Sequence, residues 1–331
     1  MPRVLHVQKI DGKPGKVYYP IKIREAPLPE VGPSQLLVRM DAAALNHKDL
    51  FIRRHLYPAI SFENPLLADG YGTVVEAGAA VKQRGLLNKP VLLNPMLMWE
   101  SDPVGPEKGV VLITGASSAT KTGCAQDYAL VEEDDVSGNA KAGRNILVTG
   151  IGGGVAIQVL QFAVAMGINV YVTSGDQAKI DKAMRMGAKG GVVYKNDGWE
   201  RELKSLLPES RPYIDAVIDG AGGNIVSKAT KFLKPGGIIS QYGMTVAPKM
   251  EWTMQAVLMN IELRGSTMGS KREFRDMVAF VNEKKIRPVV SKTVKGLANL
   301  EGIDGLFKDM DAGTQFGKLV IEINDRPSSK L

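Results

Sequence analysis

The chain has 331 residues, 44% of them hydrophobic, and its 42 Lys and Arg against 35 Asp and Glu leave a net charge of +7. Such a length suits about two domains, no apolar run approaches the ~20 residues of a membrane span, and the start M-P-R-V-L-H-V-Q-K-I-D-G has no signal-peptide core, so a cytoplasmic protein is expected. A single cysteine, Cys124, excludes an intramolecular disulfide, three histidines (His6, His47, His55) leave little for a metal site, and scattered charges without a basic stripe argue against a nucleic-acid partner.

From Met1 to about Leu130 short strands alternate with turn residues: Leu5 to Gln8, Leu36 to Asp41, Gly72 to Ala77, Val91 to Asn94 and Asp127 to Val131, punctuated by Pro27, Pro29, Gly32, Pro33, Gly78 and Pro95. This reads as a β-rich domain. Within it Val110 to Gly123, V-V-L-I-T-G-A-S-S-A-T-K-T-G, imitates a nucleotide-binding turn. Ala119 and Lys121 stand where further glycines belong, however, and Gln126 arrives too soon for a helix of three turns.

At Asn145 the rhythm changes. The strand Ile146 to Val148 runs into Gly150, Gly152, Gly153 and Gly154, then into a helix, apolar almost all round, that meets no breaker before Gly167. Its composition predicts burial on both sides. Glycines at such a turn permit positive φ and close approach, and the first N–H groups of the helix form a pyrophosphate site; a tight turn between buried elements is the alternative. Strand and helix then alternate: Val170 to Thr173, Gln177 to Met186, Gly191 to Tyr194, Trp199 to Leu207, Ala216 to Asp219, Asn224 to Leu233, Gly237 to Tyr242, Thr253 to Asn260 and Ile261 to Gly265. Six strands joined by helices predict an α/β fold with a parallel, doubly wound sheet that binds its ligand at the carboxyl ends of the strands. Gly150 to Val155, Ser174, Asp219, Gly220 and Gly243 all lie at such ends.

At the tip of the second strand NAD sites place an acid, and here stand Thr173, Ser174 and Gly175. Asp176 follows as a helix N-cap, and Lys179, one turn in, is placed to meet a 2′-phosphate, so NADPH is the expected cofactor. After Gly269 the elements are a helix (Glu273 to Glu283), an extended piece (Val289 to Val294), a helix around Ile303 to Met310 and a last strand, Lys318 to Ile323. These do not continue the alternation and are expected to rejoin the β-rich domain.

A-L-N-H-K-D around Asn46, G-Y-G-T-V-V-E-A-G from Gly70, G-C-A-Q-D-Y-A-L-V from Gly123, the glycine turn and F-G-K-L-V-I-E-I from Phe316 together resemble the medium-chain dehydrogenase/reductase superfamily. The likeness is greatest to its zinc-free quinone oxidoreductase and enoyl reductase branch. It implies a GroES-like catalytic domain from residues 1–136 and 271–331, with a Rossmann NADP-binding domain, 137–270, inserted between them. In zinc-dependent members a cysteine ligand matches Asn46 and a His-Glu pair matches Ala68 and Asp69, so no metal is expected. The resemblance further implies Tyr57 as proton donor, Asn46 as a polar contact near the nicotinamide, Ser174, Lys179 and Tyr194 around the 2′-phosphate, and a homodimer through Ile261 to Gly265. Ala156 replaces the last glycine of the turn. Only Ser137 to Ala142 stands where family members carry an extra segment of roughly 30 residues, a loss expected to expose apolar surface and weaken cofactor binding.

The expected activity is therefore NADPH-dependent reduction of a small molecule, either a quinone or an α,β-unsaturated double bond. The alternatives are an alcohol or aldehyde oxidoreductase on the same scaffold, and a cofactor-binding protein with little turnover.

Overall fold

A computed structural model describes residues 1–103, 105–107, 112–132, 144–247 and 249–323. They fall into two compact units, one within Met1–Gly138, Gly269–Phe280 and Val290–Leu331, the other within Asn139–Met268 and Val281–Val289. The connection Ser137 to Ala142 lies outside the described residues.

The first unit opens with β1 (Arg3–Val7), β2 (Ile21–Glu25), β3 (Gln35–Ala44) and a short helix α1 (His47–Arg53). It continues through β4 (Asp69–Ala77), β5 (Pro90–Leu93), β6 (Met96–Leu97), β7 (Leu112–Ile113) and β8 (Tyr128–Glu132). The second unit alternates: β9 (Asn145–Val148), α2 (Gly154–Ala165), β10 (Asn169–Ser174), α3 (Gln177–Arg185), β11 (Gly190–Val193), α4 (Trp199–Ser205), β12 (Ile214–Asp219), α5 (Ile225–Ala229), β13 (Leu233–Gln241), α6 (Met254–Leu258) and β14 (Glu262–Gly265). The chain ends in α7 (Lys271–Lys284), β15 (Val290–Lys295), α8 (Leu300–Ala312) and β16 (Lys318–Glu322).

The main sheet of the first unit has the order β15-β16-β3-β4-β5, with β8 also paired to β3. The antiparallel β16 sets Val320 opposite Ala44, and β4 sets Asp69 opposite the same alanine. The register therefore gathers the start of β16, the end of β3 and the start of β4 at one place. A core of Leu5, Leu36, Val38, Met40, Ile52, Leu66, Val74, Leu306 and Phe307 fills this unit. Residues from both ends of the chain thus share one core, as a strand added from the C-terminus requires.

The decoy segment forms no strand-turn-helix among the described residues: β7 pairs antiparallel with β6, and the chain after it is irregular. Helix α1 departs from the all-strand expectation. Asn46 is its N-cap and Asp49, at N3, accepts from the Asn46 N–H at 2.8 Å, so an Asn-x-x-Asp pattern starts a helix where the apolar pattern alone suggests none.

The second unit is a six-stranded parallel sheet of order β11-β10-β9-β12-β13-β14. Its direction of winding reverses between β9 and β12, so the crevice for a ligand opens beyond the carboxyl ends of these two strands. β9 is wholly buried: Ile146 to Val148 are apolar, and the Asn145 amide is satisfied by donating to Arg211 O and Tyr213 O. In helix α2 Ala156, Ile157, Leu160 and Ala163 form the buried stripe, the other residues are half-buried, and Val155 in the first turn is 49% exposed. β13 begins at Leu233, earlier than the sequence suggests, because α5 ends at Ala229 and the strand runs on through Pro235 and Gly236 with a register shift against β12.

Two buried carboxylates hold this unit together. Burial alone raises the Asp215 carboxyl, but hydrogen bonds from Arg211, the Asn145 N–H and Lys234 outweigh it and bring it down to about 2. Glu200 is likewise lowered to about 2, where bonds from Lys228 and Lys231 outweigh burial. A carboxyl depressed by folding contributes stability that is complete above its unfolded value, near 4, and is lost as pH falls toward the folded one. Between pH 4.5 and 2 the sheet should therefore unfold, followed by the fluorescence of the buried Trp199. Asp215→Asn should flatten this acid dependence; an unchanged slope would assign the transition to other groups.

Candidate active site

The glycine turn follows β9. Gly150 has φ +62° and Gly152 φ +132°, conformations that a side chain resists, and Gly153 is the extended N-cap of α2. The Ile151 N–H donates to Thr173 O at 2.8 Å, pinning the turn to the end of β10. A Cβ added at Gly150 would meet nothing within 4 Å, and one at Gly153 only Gly150 O at 3.8 Å, so space lies open before the turn. The first N–H groups of α2, those of Gly154 and Val155 among them, lack intrahelical acceptors and carry the positive end of the helix dipole. Open space, backbone donors and positive potential fit a pyrophosphate.

Asp219, at the end of β12, is fully buried. Its carboxylate accepts from Thr149 Oγ1, from the Gly222 N–H at 2.7 Å and from Gln241 Nε2 at 2.6 Å. Its part is therefore to bind three strand ends together, which corrects the expectation, from its place at a strand end, that it belongs to the cofactor site. Gly220 lies under Tyr242, whose ring a Cβ would meet at 2.5 Å, and Gly243 backs onto Gly220 with its own Cβ position 3.2 Å from Gly220 O. Both glycines keep this side of the crevice thin.

At the tip of β10 Ser174 is buried, and its Oγ accepts from the Asp176 N–H at 3.2 Å. Asp176 itself caps α3 by accepting from the Ala178 N–H at 2.9 Å, which leaves no carboxylate at the strand tip. Tyr194 is tied to Ser174 through its N–H at 3.0 Å. A Cβ on Gly175 would meet Lys195 Cε at 2.8 Å and Tyr194 Oη at 3.0 Å. Ser174, Tyr194 and Lys195 thus surround one glycine, and half-buried Lys179 lies on the first turn of α3. No local sequence signal marks Lys195, since only the β10–β11 pairing brings it over Gly175.

In the first unit three acceptors converge on Lys318. Its Nζ donates to Leu45 O at 3.0 Å, Asn46 Oδ1 at 2.9 Å and Asp69 Oδ2 at 2.7 Å. Nearby, Lys48 Nζ donates to Thr114 O and to Gly115 O at 2.7 Å, tying the decoy segment to α1, and stands 5.6 Å from the centre of the Tyr57 ring. Tyr57 is half-buried against the core, and burial first, then Asp49, raises its phenol above the ordinary 10. Burial also pushes the Cys124 thiol up, so it stays protonated. Zinc takes thiolate, imidazole or carboxylate in sets of three or four. Ala68 offers no donor atom, Asn46 offers an amide, and the oxygens of Asn46 and Asp69 already hold an ammonium; the donor set does not fit the metal. Among the described residues no group of three or more His, Cys, Asp or Glu is placed to hold one.

A model of the alcohol dehydrogenase GroES-like domain matches residues 32–139, and one of the zinc-binding dehydrogenase matches residues 154–283. The zinc-type alcohol dehydrogenase-like protein YogA of Leptosphaeria maculans is 50% identical over 358 residues, covering 98% of this chain and 100% of the relative. The chain belongs to the medium-chain dehydrogenase/reductase superfamily. It is accordingly an oxidoreductase of that family, built to take a nicotinamide cofactor. The alignment with the fungal relative is longer than this dehydrogenase/reductase itself, 358 positions against 331, so at least 27 of its positions are the relative's alone. The acryloyl-coenzyme A reductase of Sulfurisphaera tokodaii is 26% identical over 91% of this chain and 96% of its own. A crystal structure of an NAD-dependent alcohol dehydrogenase shares the fold, with TM-score 0.80 at 24% identity over 97% of this chain and 100% of that one.

Proposed function

We propose that this dehydrogenase/reductase is a zinc-independent, NADPH-dependent enzyme that reduces an α,β-unsaturated double bond or a quinone. The observation that carries the reading is the Lys318 ammonium bound to Asn46 and Asp69, where the zinc-dependent members of the family need ligands. The likeness to an acryloyl-coenzyme A reductase supports an activated double bond as the group reduced. The β10 tip without an acid, ringed by Ser174, Tyr194 and Lys195 with Lys179 on the next helix, supports NADPH.

The bound nicotinamide supplies a hydride. The chain's residues do the rest: the turn Gly150–Gly154 and the N–H of Val155 hold the pyrophosphate, and Ser174, Lys179 and Tyr194 take the 2′-phosphate. Asn46 contacts the substrate's carbonyl, and Tyr57, kept protonated, gives the proton. Without a metal the barrier must fall through positioning and through donors aimed at the developing oxyanion.

A fluorescence titration with NADPH and NADH, followed by turnover assays on an enone, an enoyl thioester, a quinone and a simple alcohol, tests the proposal. It expects NADPH to bind at least tenfold more tightly and one of the first three to be reduced. Turnover of the alcohol alone would replace it by a dehydrogenase reading. NADPH binding without turnover would leave a cofactor-binding protein.

We further propose that the enzyme is a cytoplasmic homodimer. Among the described residues no helix is long and apolar enough to cross a membrane. β14 is the last strand of its sheet and exposed throughout, Leu263 included, and exposed Trp252, Met254, Val257 and Leu258 precede it in the chain. An open edge with an apolar border is suited to pair with its own copy across a two-fold axis. Leu263→Arg should convert a dimer to a monomer in sedimentation or light scattering, whereas a wild-type monomer would refute this arrangement.

A further inference from the structure

The Lys318 ammonium is bound to Leu45 O, Asn46 Oδ1 and Asp69 Oδ2. An ammonium has donors and no acceptor, so the Asn46 amide that meets it at 2.9 Å must turn its oxygen toward it and its nitrogen away. The backbone at this point is fixed independently, since the Asn46 N–H is bonded to the fully buried Asp49. Lys318 is held in turn by Asp69 and by Leu45 O, so its three N–H groups are all engaged. Among the described residues no hydrogen bond reaches Asn46 Nδ2. The amide is thus locked at one end and free to donate at the other.

We propose that Lys318 is a positioning residue, which holds the Asn46 amide so that its Nδ2–H donates to the carbonyl oxygen of the substrate and polarises that donor through the amide. This rests on the reading of the chain as a metal-free reductase of activated double bonds. As hydride bonds to the β-carbon, the C=C π pair moves toward the carbonyl and negative charge collects on its oxygen. The Asn46 N–H stabilises that oxygen. A proton from the Tyr57 hydroxyl then bonds to the α-carbon, the enolate becomes the saturated carbonyl, and the tyrosinate regains its proton from water. A cation on the amide oxygen draws electron density from the nitrogen, and chains of hydrogen bonds strengthen in this way. Asp69 balances the charge and keeps the ammonium on the amide. The cation acts one group away from the reacting oxygen, where a metal would touch it.

The test combines kinetics with the side-chain amide resonance of Asn46 in protein carrying ¹⁵N-asparagine, identified by its loss in Asn46→Ala. Lys318→Met should shift that resonance and lower kcat ten- to hundredfold on an enone, with the Kd for NADPH unchanged. Lys318→Arg, which keeps donors and charge, should restore most of kcat and of the shift. Asn46→Ala should lose as much alone as together with Lys318→Met, because the lysine acts through the asparagine. An unmoved resonance, or losses that multiply in the double variant, would overturn the proposal. If Lys318→Met does not fold, the arginine variant still decides: a wild-type resonance with wild-type kcat supports the contact, and a collapse of kcat at an unshifted resonance overturns it. A wild-type protein that binds NADPH yet reduces no enone, thioester or quinone overturns the reading of the reaction and with it the catalytic role, even if the resonance shift shows the contact itself.

Discussion

Tyr57→Phe should lower the turnover of an α,β-unsaturated ketone by about 10²-fold or more and leave the Kd for NADPH where it was. The substitution removes one oxygen and keeps the ring, which packs against the core of the first unit with the Lys48 ammonium 5.6 Å from its centre. Folding and cofactor binding therefore have no reason to change. The phenol is suited to donate because burial, followed by the Asp49 carboxylate, holds its proton on above the ordinary 10. The pH profile carries the same signature. Turnover that depends on a protonated Tyr57 stays level through neutrality and falls only above pH 10, and the basic limb should be missing from the phenylalanine variant. Unchanged turnover in Tyr57→Phe would remove the tyrosine from the mechanism and leave water or another group to supply the proton.

Ser174→Asp should reverse the cofactor preference. Ser174 ends β10, where an acid would meet the adenosine ribose, and Asp176 is already engaged in capping α3. A carboxylate at this tip repels a 2′-phosphate and accepts a hydrogen bond from a free 2′-hydroxyl. Two like charges about 4 Å apart near a protein surface repel by a few kcal/mol, which corresponds to on the order of 10²-fold in affinity for NADPH. Affinity for NADH should hold or improve. The buried position of Ser174 carries a stability cost, so the melting temperature of the variant belongs beside the two titrations. A wild-type protein that binds NADH more tightly, or a variant that still prefers NADPH, would assign the preference to other residues.

Much of this site is legible in the sequence because its constraints are local. Four glycines between an apolar strand and an apolar helix mark a turn that uses positive φ, as Gly150 and Gly152 do, and the alternation after Asn145 fixes a parallel sheet whose strand ends meet at the β9–β12 reversal. The signal for α1 is present as well, in the reciprocal Asn46 and Asp49 pattern, but it sits in a stretch whose apolar residues read more readily as strands. Contacts set by strand register are not legible in this way. Lys318 lies 272 residues from Asn46, and only the neighbouring positions of β16, β3 and β4 bring them together. Lys195 reaches Gly175 through the β10–β11 pairing for the same reason. Asp219 shows the converse case: its position at a strand end is evident, yet its role depends on Thr149 just after β9 and Gln241 in β13, which the local sequence does not contain.

The identity of the cation at Asn46 separates this account from a zinc enzyme. Zinc-dependent chemistry needs the metal bound at the site, whereas here the amide and carboxylate oxygens are taken by an ammonium. The direct measurement is NADPH-dependent reduction of an enone by protein exhaustively treated with a strong chelator, with metal content read by mass spectrometry before and after. Zinc should be substoichiometric throughout, and turnover should survive chelation and gain nothing from added zinc. Turnover that disappears on chelation and returns with one zinc per chain would contradict it.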